Sequence, residues 1–335
     1  MAALAPEAPP REVRILSINV WSGLDYKGVF RMGRYTDDAE RRFQILVQEI
    51  RRCDPDIIAI QEANPLPKYA ERLAQALDYR VIHRVALGGV RLGPAGFPVN
   101  LREGQAILAR KSATLVCLGR KRLAGVGIAT NWSCFHLSEL TQAILARTVV
   151  NGKPLYVYNV HLHSGPFPGL ALNASLAWLA EQCSRAELDG AERAVEKDVN
   201  RRKAEIAALM EFINQTLPSD AAAVLVGDFN TTAESGELDA LLSTGKWVDS
   251  FRLKNPQAEG YTWDPRQNPN FRQSRSAARP YDMLCAHHRQ RPARIDFVLV
   301  NANLSPEKIR ESRVVLTPKG GTAPSDHYGV LTILE

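Results

Sequence analysis

Polar residues follow or interrupt apolar runs at six places in this chain, where the apolar pattern predicts strand ends. They are Asn19, Glu62, His161, Asp228 with Asn230, Asp296, and Asp326 with His327. Carboxylates next to a core are penalised unless they meet partners, so six such places in one domain indicate a shared site. Carboxylate and carboxamide oxygens bind hard cations such as Mg²⁺ or Mn²⁺. Together with two histidines, these groups are suited to metal-assisted hydrolysis of a phosphate ester.

The strand that organises this set is the apolar run at 221–226, which ends in Gly227 and is followed by Asp228 and Asn230. A short apolar run bounded by glycine is typical of a buried strand. If the strand geometry continues, alternation places Asp228 and Asn230 on the same face. An isolated Gly-Asp-x-Asn segment is more often an ordinary turn, so its meaning depends on the other places.

Strands and helices along the rest of the chain must bring these residues together. Apolar alternation predicts strands at 13–20, 56–61, 79–84, 105–118 (as two strands), 144–150, 154–160, 294–300, 314–316 and 328–334. Helical spacing predicts helices at 37–52, 67–77, 170–217 and 234–242. The third of these helices is expected to break near Asp189 and Gly190. The pair Asn151-Gly152 predicts a hairpin between two of the strands.

Composition narrows the class of protein. The 335 residues suffice for one large domain, and we predict a disordered tail at 1–12 and a single domain at 13–335. No apolar run approaches the length of a membrane span, so we predict no transmembrane segment. The five cysteines are widely spaced without a Cys-x-x-Cys pair, which argues against disulfides and structural zinc. We expect a cytoplasmic monomer, unless a secretion signal was removed. The net charge of +6 favours an anionic partner.

The ordered set of motifs resembles the endonuclease/exonuclease/phosphatase superfamily, which includes pancreatic-type deoxyribonuclease, tyrosyl-DNA phosphodiesterases and neutral sphingomyelinases. The motifs are Asn19, Gln61-Glu62, His161-Leu162, Gly227-Asp228-Phe229-Asn230, Arg294-Ile295-Asp296 and Ser325-Asp326-His327. Each motif is short, but together they occur in the family order over residues 13–334. The resemblance implies a DNase I-like α/β fold, a four-layer α/β/β/α sandwich. Two mixed sheets would pack face to face with helices outside, and the site would lie at one rim.

Carried over residue by residue, the resemblance implies a Mg²⁺ site, with Mn²⁺ as the other candidate ion. Glu62 would be the principal metal ligand, with Asn19 beside it and Asp326 as a further carboxylate. The ion would screen the negative charge of the substrate, so that water can attack in line.

The resemblance also implies roles beside the phosphoryl group. Asp228 would position or deprotonate the attacking water, and Asn230 would hold a phosphate oxygen. His327 would act as a base or as an electrostatic stabiliser, with Asp296 fixing its tautomer. His161 would donate to the phosphate or to the leaving oxygen.

The assignment of His161 has an alternative, because His161 and His163 lie two residues apart on one strand and face the same way. Either could be the histidine of the family. We assign His161 because the family pattern is His-Leu after an apolar strand, and we place His163 and Arg294 among the substrate-binding residues.

Within the superfamily, the chain is most similar to neutral sphingomyelinase-like members. The similarity rests on Asn19-x-Trp21, on His161-Leu162-His163 and on the helix containing residues 200–203. It implies cleavage of a phospholipid phosphodiester in the manner of a phospholipase C, with peripheral membrane contact. Segments 87–97 and 123–132 are candidate docking segments, although their apolar residues could equally belong to the core.

The rival function is that of a nuclease or DNA-end-processing phosphodiesterase acting on nucleic acid. Two motifs resemble tyrosyl-DNA phosphodiesterase and general endonuclease members: Thr262-Trp263-Asp264 with Asn268, and Asp326-His327-Tyr328-Gly329. The polar stretch 261–294 is arginine-rich and predicted to be irregular. Such a stretch could contact a phosphate backbone or be merely solvated, as we expect for His287 and His288 within it. A phosphatase acting on a soluble phosphate ester is a third possibility. A non-enzymatic binding module would require a degraded site, and none of the key positions is missing.

Overall fold

The computed structural model describes residues 12–22, 24–27, 31–34, 38–93, 95–97, 102–130, 132–136, 138–271 and 279–335. Apart from its last residue, the tail predicted at 1–12 lies outside these ranges, as do Arg272 and Arg275 of the arginine-rich stretch. Within these ranges, no helix is both long enough and apolar enough to cross a membrane.

The described residues form strands and helices that are numbered here in chain order. The strands are β1 (Val13–Asn19), β2 (Leu24–Lys27), β3 (Arg31–Arg34), β4 (Ile57–Ala63), β5 (Tyr79–Leu87), β6 (Val90–Leu92), β7 (Ala95–Phe97), β8 (Glu103–Arg110), β9 (Thr114–Ala124), β10 (Gly127–Ala129), β11 (Ser133–His136), β12 (Thr141–Val150), β13 (Lys153–His161), β14 (Ala223–Asp228), β15 (Trp247–Asp249), β16 (Asp296–Asn301), β17 (Ile309–Val315) and β18 (Gly329–Leu334). The helices are α1 (Ala39–Cys53), α2 (Lys68–Leu77), α3 (Leu170–Ala180), α4 (Arg185–Thr216), α5 (Asp239–Leu242), α6 (Ser250–Lys254) and α7 (Pro280–His288).

Two mixed six-stranded sheets form the centre of the fold. The first has the order β17-β18-β1-β4-β8-β5, and the second has the order β15-β16-β14-β13-β12-β9. In each sheet one pair of neighbours is parallel, β1 with β4 and β13 with β14, and the other neighbours are antiparallel. A separate four-stranded sheet, β10-β11-β6-β7, is called the side sheet below.

Three apolar layers hold the sandwich together. The layer between the sheets is built from alternate residues of the central strands, including Ile15, Ile57, Ile107, Val157, Val224 and Val298. The outer face of the first sheet packs against α1 and α2, with Phe43, Leu46, Ile50 and Leu73 as buried members. The outer face of the second sheet packs against α4 and α5, with Ile206, Leu209, Phe212 and Leu241 as buried members. These contacts confirm the predicted α/β/β/α sandwich.

The long helical region breaks earlier than predicted. The helix α3 ends at Ala180, and α4 begins after Ser184 and continues through Gly190. Ser184 and Glu187 form a capping box, in which the backbone N–H of Ser184 donates to Glu187 Oε2 at 2.9 Å. The predicted break near Asp189 and Gly190 is therefore wrong, because the helix start is set by the capping box and the following turns absorb the glycine.

The stretch 261–294 is also more ordered than predicted, since it contains α7. The ring of His288 is buried with its edge toward Phe167, at a centroid distance of 4.5 Å. The ring of His287 stacks on Trp178 at 4.5 Å. The prediction that both histidines are solvated is wrong, because α7 packs them against the rest of the protein.

The two parallel strand pairs bring the predicted strand ends to one rim of the sandwich. Asn19 at the end of β1 lies opposite Gln61 of β4. In the second sheet His161 lies opposite Asp228, and Asp228 lies opposite Asp296 at the start of the antiparallel β16. The register alone thus places four predicted site residues at the same edge of the two sheets.

Gly227 permits the close approach of β13 and β14 at this rim. Its φ is +142°, and a Cβ atom there would lie 2.0 Å from the carbonyl oxygen of Val160. Only glycine fits this conformation and this contact, which explains why a glycine precedes Asp228.

A buried polar bridge fixes the separation of the two sheets beneath the rim. The side chain of Asn159 on β13 donates through Nδ2 to the carbonyl oxygens of Ile60 and Ala106, each at 3.0 Å. Its Oδ1 accepts from Gln61 Nε2 at 2.7 Å. These bonds cross from one sheet to the other, so they hold the two halves of the rim in register.

Candidate active site

Asn19 lies at the centre of the polar cluster and is fully buried. Its Nδ2 donates to Glu62 Oε1 and to Asp228 Oδ2, each at 3.0 Å. Its Oδ1 accepts from the backbone N–H of Trp21 at 3.0 Å. One carboxamide therefore joins the carboxylates that end a strand of the first sheet and a strand of the second.

Glu62 is turned toward the rim by an irregularity in β4. Its φ is +55°, and the pairing of β4 with β8 shifts register between Ile60 and Ala63. Such bulges re-aim a side chain out of the alternating pattern. Burial alone would raise the pKa of Glu62, but the charge of His161 and the hydrogen bond from Asn19 outweigh burial and lower the pKa. The group is therefore held as a carboxylate.

His327 and Asp296 form a buried pair. His327 Nδ1 lies 2.9 Å from Asp296 Oδ2, and His327 Nε2 lies 3.8 Å from Asp228 Oδ2. Burial would lower the pKa of His327, but the charges of Asp296 and Asp228 raise it well above its ordinary value. The two carboxylates therefore favour the charged ring, and Asp296 fixes its orientation through Nδ1.

Asp228 lies between the two histidines and is almost fully buried. Its Oδ2 is 3.7 Å from His161 Nε2. Burial and the charge of Asp296 raise the pKa of Asp228. A carboxylate with a raised pKa is a stronger base, which suits it to accept a proton from water.

His161 completes the contacts on the side of Glu62. Its Nε2 lies 3.9 Å from Glu62 Oε1, and about a quarter of its side chain is exposed. Burial would lower the pKa of His161, but Asp228 and Glu62 together raise it. The two carboxylates thus favour the charged form of this imidazole, which lies at the partly exposed side of the cluster.

Asp326 precedes His327 in the chain and is partly buried. Its pKa is raised to about 7, first by burial and then by the charge of Glu62, against the opposing effects of His327 and Arg42. Ser325 Oγ lies 3.3 Å from Asp326 Oδ1. The repulsion between the carboxylates of Asp326 and Glu62 shows that the cluster concentrates negative charge.

Three further side chains support the cluster, and no role was predicted for them. Thr262 Oγ1 accepts from the backbone N–H of Asp296 at 3.1 Å. Asn268 Nδ2 donates to the carbonyl oxygen of Ser325 at 3.0 Å, and Ser325 Oγ donates to the carbonyl oxygen of Asn19 at 2.6 Å. Thr262 and Asn268 were available in the sequence as motif residues, but the loop contacts that give them a role are long-range.

Asn230 has an orientation that strand alternation does not predict. The strand β14 ends at Asp228, and Asn230 has a φ of +51°. Its backbone N–H donates to Asp228 Oδ1 at 2.8 Å, and its Nδ2 donates to the carbonyl oxygen of Leu162 at 2.9 Å. Asn230 therefore fixes Asp228 and the segment after His161.

The structure engages the predicted substrate-binding residue His163 in internal contacts. Its Nδ1 lies 2.5 Å from Glu139 Oε2, and its Nε2 lies 2.9 Å from Asp198 Oδ1. Its backbone N–H donates to Glu205 Oε2 at 2.8 Å. Because both ring nitrogens are occupied by carboxylates, we revise the proposed role of His163 from substrate binding to positioning of the segment that carries His161.

Arg294, the other predicted substrate-binding residue, is 5% exposed. Its Nη2 lies 2.7 Å from Asp249 Oδ2, so the two side chains form an ion pair. Their relative orientation is not that of a hydrogen bond. Its guanidinium lies 4.5 Å from the ring centroid of Phe297. A buried, paired guanidinium is poorly placed to reach a ligand, so we revise its proposed role to structural support of β16.

Stability should depend on pH through His163. Burial would lower its pKa, but hydrogen bonds to Asp198 and Glu139 raise it from 6.5 to about 9. A raised pKa stabilises the folded state fully below the unfolded value and ceases to do so as pH rises through about 9. The free energy of unfolding should therefore fall by about 2–3 kcal/mol through this group between pH 6.5 and pH 9.5.

The measurement is urea unfolding across this pH range for the wild type and for His163→Gln. The variant should be less stable at pH 6.5 and should lose the corresponding slope. A variant with the same slope as the wild type would show that His163 does not hold the proton. His83→Gln is the matched control, since burial lowers the pKa of His83 instead.

The donors of the cluster fit a divalent cation. Asp228, Asp296 and His327 each offer an atom, and these atoms lie within 4.8 Å of one another. Asp296 Oδ1 is buried without a hydrogen-bond partner, and Glu62 adds a further carboxylate through its bond to Asn19. Hard oxygen donors of this kind favour Mg²⁺ or Mn²⁺ over softer metals. The resemblance implied Asn19, Glu62 and Asp326 as ligands. The structure places Asp228 and Asp296 of the second sheet as further oxygen donors in the same cluster.

Comparison with known proteins places this chain in a family. The model described as "Endonuclease/Exonuclease/phosphatase family" matches residues 16–327. A comparison with curated protein sequences finds no match.

Solved structures share the fold over almost the whole chain. TDP2 of D. rerio complexed with a single strand DNA product is 18% identical, with a TM-score of 0.59 and coverage of 97% of this chain and 99% of that one. An endonuclease/exonuclease/phosphatase from Bacteroides vulgatus is 16% identical, with a TM-score of 0.59 and the same coverage. A family protein from Leptotrichia buccalis is 19% identical, with a TM-score of 0.54 and coverage of 96% and 99%.

Proposed function

Since this chain belongs to the endonuclease/exonuclease/phosphatase family of metal-dependent phosphodiesterases, we propose that its polar cluster hydrolyses a phosphodiester by in-line attack of water. The observation that carries the proposal is the arrangement of Asp296, His327 and Asp228. Asp296 holds one nitrogen of the protonated His327 ring, while the other nitrogen points toward Asp228. His327 can therefore act as a proton donor, and Asp228, whose pKa is raised, can act as a proton acceptor at the same rim.

We propose Mg²⁺ as the resident ion, with Mn²⁺ able to use the same oxygen donors. Glu62 would hold it, with Asn19 and Asp326 beside it. We favour these residues over His327 as ligands, because Asp296 already engages His327 Nδ1 and Mg²⁺ prefers oxygen donors. When bound, the ion would polarise the phosphoryl oxygens and neutralise the charge that develops on them.

The residues of the cluster divide the proton transfers between them. Asp228 would accept a proton from the attacking water, while the backbone N–H of Asn230 holds its other oxygen in place. His327, charged through its pair with Asp296, would donate to a phosphoryl oxygen. His161 would donate to the phosphate or the leaving oxygen from the open side of the cluster, where its side chain is partly exposed.

We propose a phospholipid as the substrate, cleaved in the manner of a phospholipase C or sphingomyelinase. The motifs Asn19-x-Trp21 and His161-Leu162-His163 support this branch. The rival substrate is nucleic acid. It is supported by the fold shared with TDP2, whose structure contains a single strand DNA product. Of the arginines that suggested a backbone-binding surface, Arg294 is buried against Asp249, whereas Arg279 is exposed in an ion pair with Asp282. Burial removes Arg294 from such a surface. That reduces the support for the rival.

Replacing Glu62 by glutamine tests the proposed function. Because glutamine keeps the shape and removes the charge, the rate should fall by about 10²–10³-fold, and more Mg²⁺ should be needed for half of the remaining activity. The measurement is the initial rate against Mg²⁺ concentration on three substrates: bis(4-nitrophenyl) phosphate, sphingomyelin vesicles and single-stranded DNA.

Glu71→Gln on α2 is the matched control, since its side chain is 58% exposed and touches none of the cluster residues in the described contacts. It should keep the wild-type rate. A Glu62→Gln variant with wild-type rate and metal dependence would remove Glu62 from the metal site. Wild-type hydrolysis of DNA without hydrolysis of vesicles would transfer the proposal to the nucleic-acid rival.

A further inference from the structure

The side sheet exposes an apolar outer face. The residues of this face are Val90, Leu92, Val126, Ile128, Trp132 and Phe135, whose exposed fractions range from 52% to 63%. Ile128 lies directly opposite Phe135 in the pairing of β10 with β11. In the pairing of β11 with β6, Leu92 lies opposite Ser133. The pairings place Leu92, Ile128 and Phe135 on one side of the sheet, and Val90, Val126 and Trp132 are exposed at positions near them in the chain; the six residues are called the apolar face below.

The opposite side of the same sheet is buried against the protein. Ala129 and Cys134 alternate with the exposed Ile128 and Phe135, and they pack with Leu140 in a small core. A sheet whose one side is buried normally presents polar residues on the other side. Here both sides are apolar, and only the side with Ala129 and Cys134 is buried by the protein itself. The exposed side is therefore available to a partner.

The side sheet rises from the rim that carries the polar cluster. The segment after β7 enters β8, where Gly104 pairs with Ala63, the neighbour of Glu62. The segment after β11 enters β12, where Gln142 pairs with His161. Both connections lead to strands that pair with strands holding site residues, β8 with β4 and β12 with β13, so the side sheet is joined to the rim that carries the site.

Unpaired cations adjoin the apolar face. They are Arg84 on β5 and Arg120 and Arg122 on β9. Arg120 Nη1 donates to the carbonyl oxygen of Ala129 in the side sheet at 2.6 Å, while Arg84 donates to the carbonyl oxygen of His83 and to Cys117 Sγ. Among the described residues, no carboxylate lies within ion-pair distance of any of the three. Burial and the charges of Arg84 and Arg122 lower the pKa of Arg120, which shows that these guanidinium groups repel one another. An anionic partner would relieve this repulsion.

We propose that the apolar face docks on the surface of a phospholipid bilayer that contains anionic lipid, with Arg84, Arg120 and Arg122 at the level of the headgroups. The inference rests on the proposed function, since it explains how a phosphodiester in a membrane reaches the rim. Tryptophan at the edge of an aliphatic patch flanked by arginine is the composition of an interfacial membrane contact. Each arginine near an anionic surface strengthens binding.

Other occupants fit the surface less well. Nucleic acid would need aromatic platforms for stacking its bases, whereas Val, Leu and Ile make up most of the apolar face. A second copy of the chain, docked through the same face, would bring the unpaired arginines of both copies together. Neither partner satisfies the apolar residues and the cations at once.

The experiment measures co-sedimentation with phosphatidylcholine vesicles, with and without phosphatidylserine. The variant Ile128→Ser/Phe135→Ser should lower the partition coefficient of the protein by at least about tenfold on both kinds of vesicle. The variant Arg120→Gln/Arg122→Gln should lower it by about fivefold per arginine, and only where phosphatidylserine is present. Leu170→Ser, at an 89% exposed position on α3, is the control and should bind as the wild type does.

Hydrolysis of bis(4-nitrophenyl) phosphate with Mg²⁺ separates the two proposals. None of these variants touches the polar cluster, so all should keep the wild-type rate on this soluble diester. Wild-type protein that hydrolyses it but does not sediment with either vesicle would overturn the docking proposal alone. Absence of hydrolysis by the wild type would instead overturn the proposed function. Loss of single-stranded DNA binding in the Ile128→Ser/Phe135→Ser variant, without loss of vesicle binding, would assign the face to nucleic acid.

Discussion

Replacing His327 by alanine should lower turnover of a phosphodiester by about 10³–10⁵-fold while the protein still folds. His327 is the only group in the described cluster that joins two carboxylates through its two ring nitrogens, Asp296 at Nδ1 and Asp228 at Nε2. Its raised pKa keeps a positive charge next to the position proposed for the phosphoryl group. Removing it deletes a proton donor and leaves Asp296 buried without its partner.

The loss of that partner also affects stability, so activity and folding must be measured separately. Leaving a buried carboxylate unpaired costs about 3–5 kcal/mol. We therefore expect a lower midpoint in urea together with a lower kcat at temperatures where the variant is fully folded. His327→Gln restores a hydrogen-bond donor without a charge, and it should regain stability but little activity. A folded His327→Ala protein with more than about a tenth of the wild-type rate would exclude His327 from the chemistry.

Local patterns in the sequence were sufficient to predict most of the sandwich. Alternation and helical spacing depend on neighbouring residues, so the strands around Ile15, Ile58, Val157 and Val224 could be placed without knowing their partners. The same patterns predicted that polar residues stand at strand ends. The family resemblance then supplied the four-layer arrangement, with two sheets face to face and helices outside, which spacing alone does not contain. The family match and the two six-stranded sheets confirm this part of the interpretation.

The features that could not be predicted depend on contacts between distant segments. The orientation of Asn230 follows from Leu162, which is 68 residues away, and the turned side chain of Glu62 follows from a register shift in β4. The contacts of His163 depend on Glu139 and Asp198, which belong to other elements. A single sequence contains no signal for such pairs, so strand alternation was extended to Asn230 and His163, although the strands end at Asp228 and His161.

Exposure of the side sheet could not be predicted for a related reason. Its apolar residues alternate as they would in a buried strand, and the sequence therefore left open whether segments 87–97 and 123–132 were core. Ile128 and Ala129 are adjacent and both apolar, yet only Ala129 is buried. Which side of a sheet faces the protein is decided by packing with residues such as Leu140, which local patterns do not reveal.

Replacing Asp296 by asparagine should lower kcat by about 10³–10⁴-fold with little change in shape. The substitution removes the charge that raises the pKa of His327 and one of the charges that raise the pKa of Asp228. His327 would then lose its proton at lower pH, so activity should decline at lower pH than in the wild type as the solution is made more alkaline. The change resembles the loss of the orienting carboxylate in a catalytic triad, where a comparable drop is observed. The measurement is the pH dependence of kcat on a soluble diester.

The coupling between Asp296 and His327 in a double variant shows whether Asp296→Asn lowers kcat by acting on His327. If Asp296 acts only by positioning and charging His327, the double variant Asp296→Asn/His327→Ala should be no slower than His327→Ala alone. Additive losses would mean that Asp296 has a separate role, with its second oxygen as a ligand of the cation. Asp264→Asn is the matched control, because Asp264 is also a buried carboxylate but its Oδ1 accepts from the backbone of Arg266 outside the cluster. That control should keep both the wild-type rate and the wild-type pH dependence, since asparagine can accept the same bond.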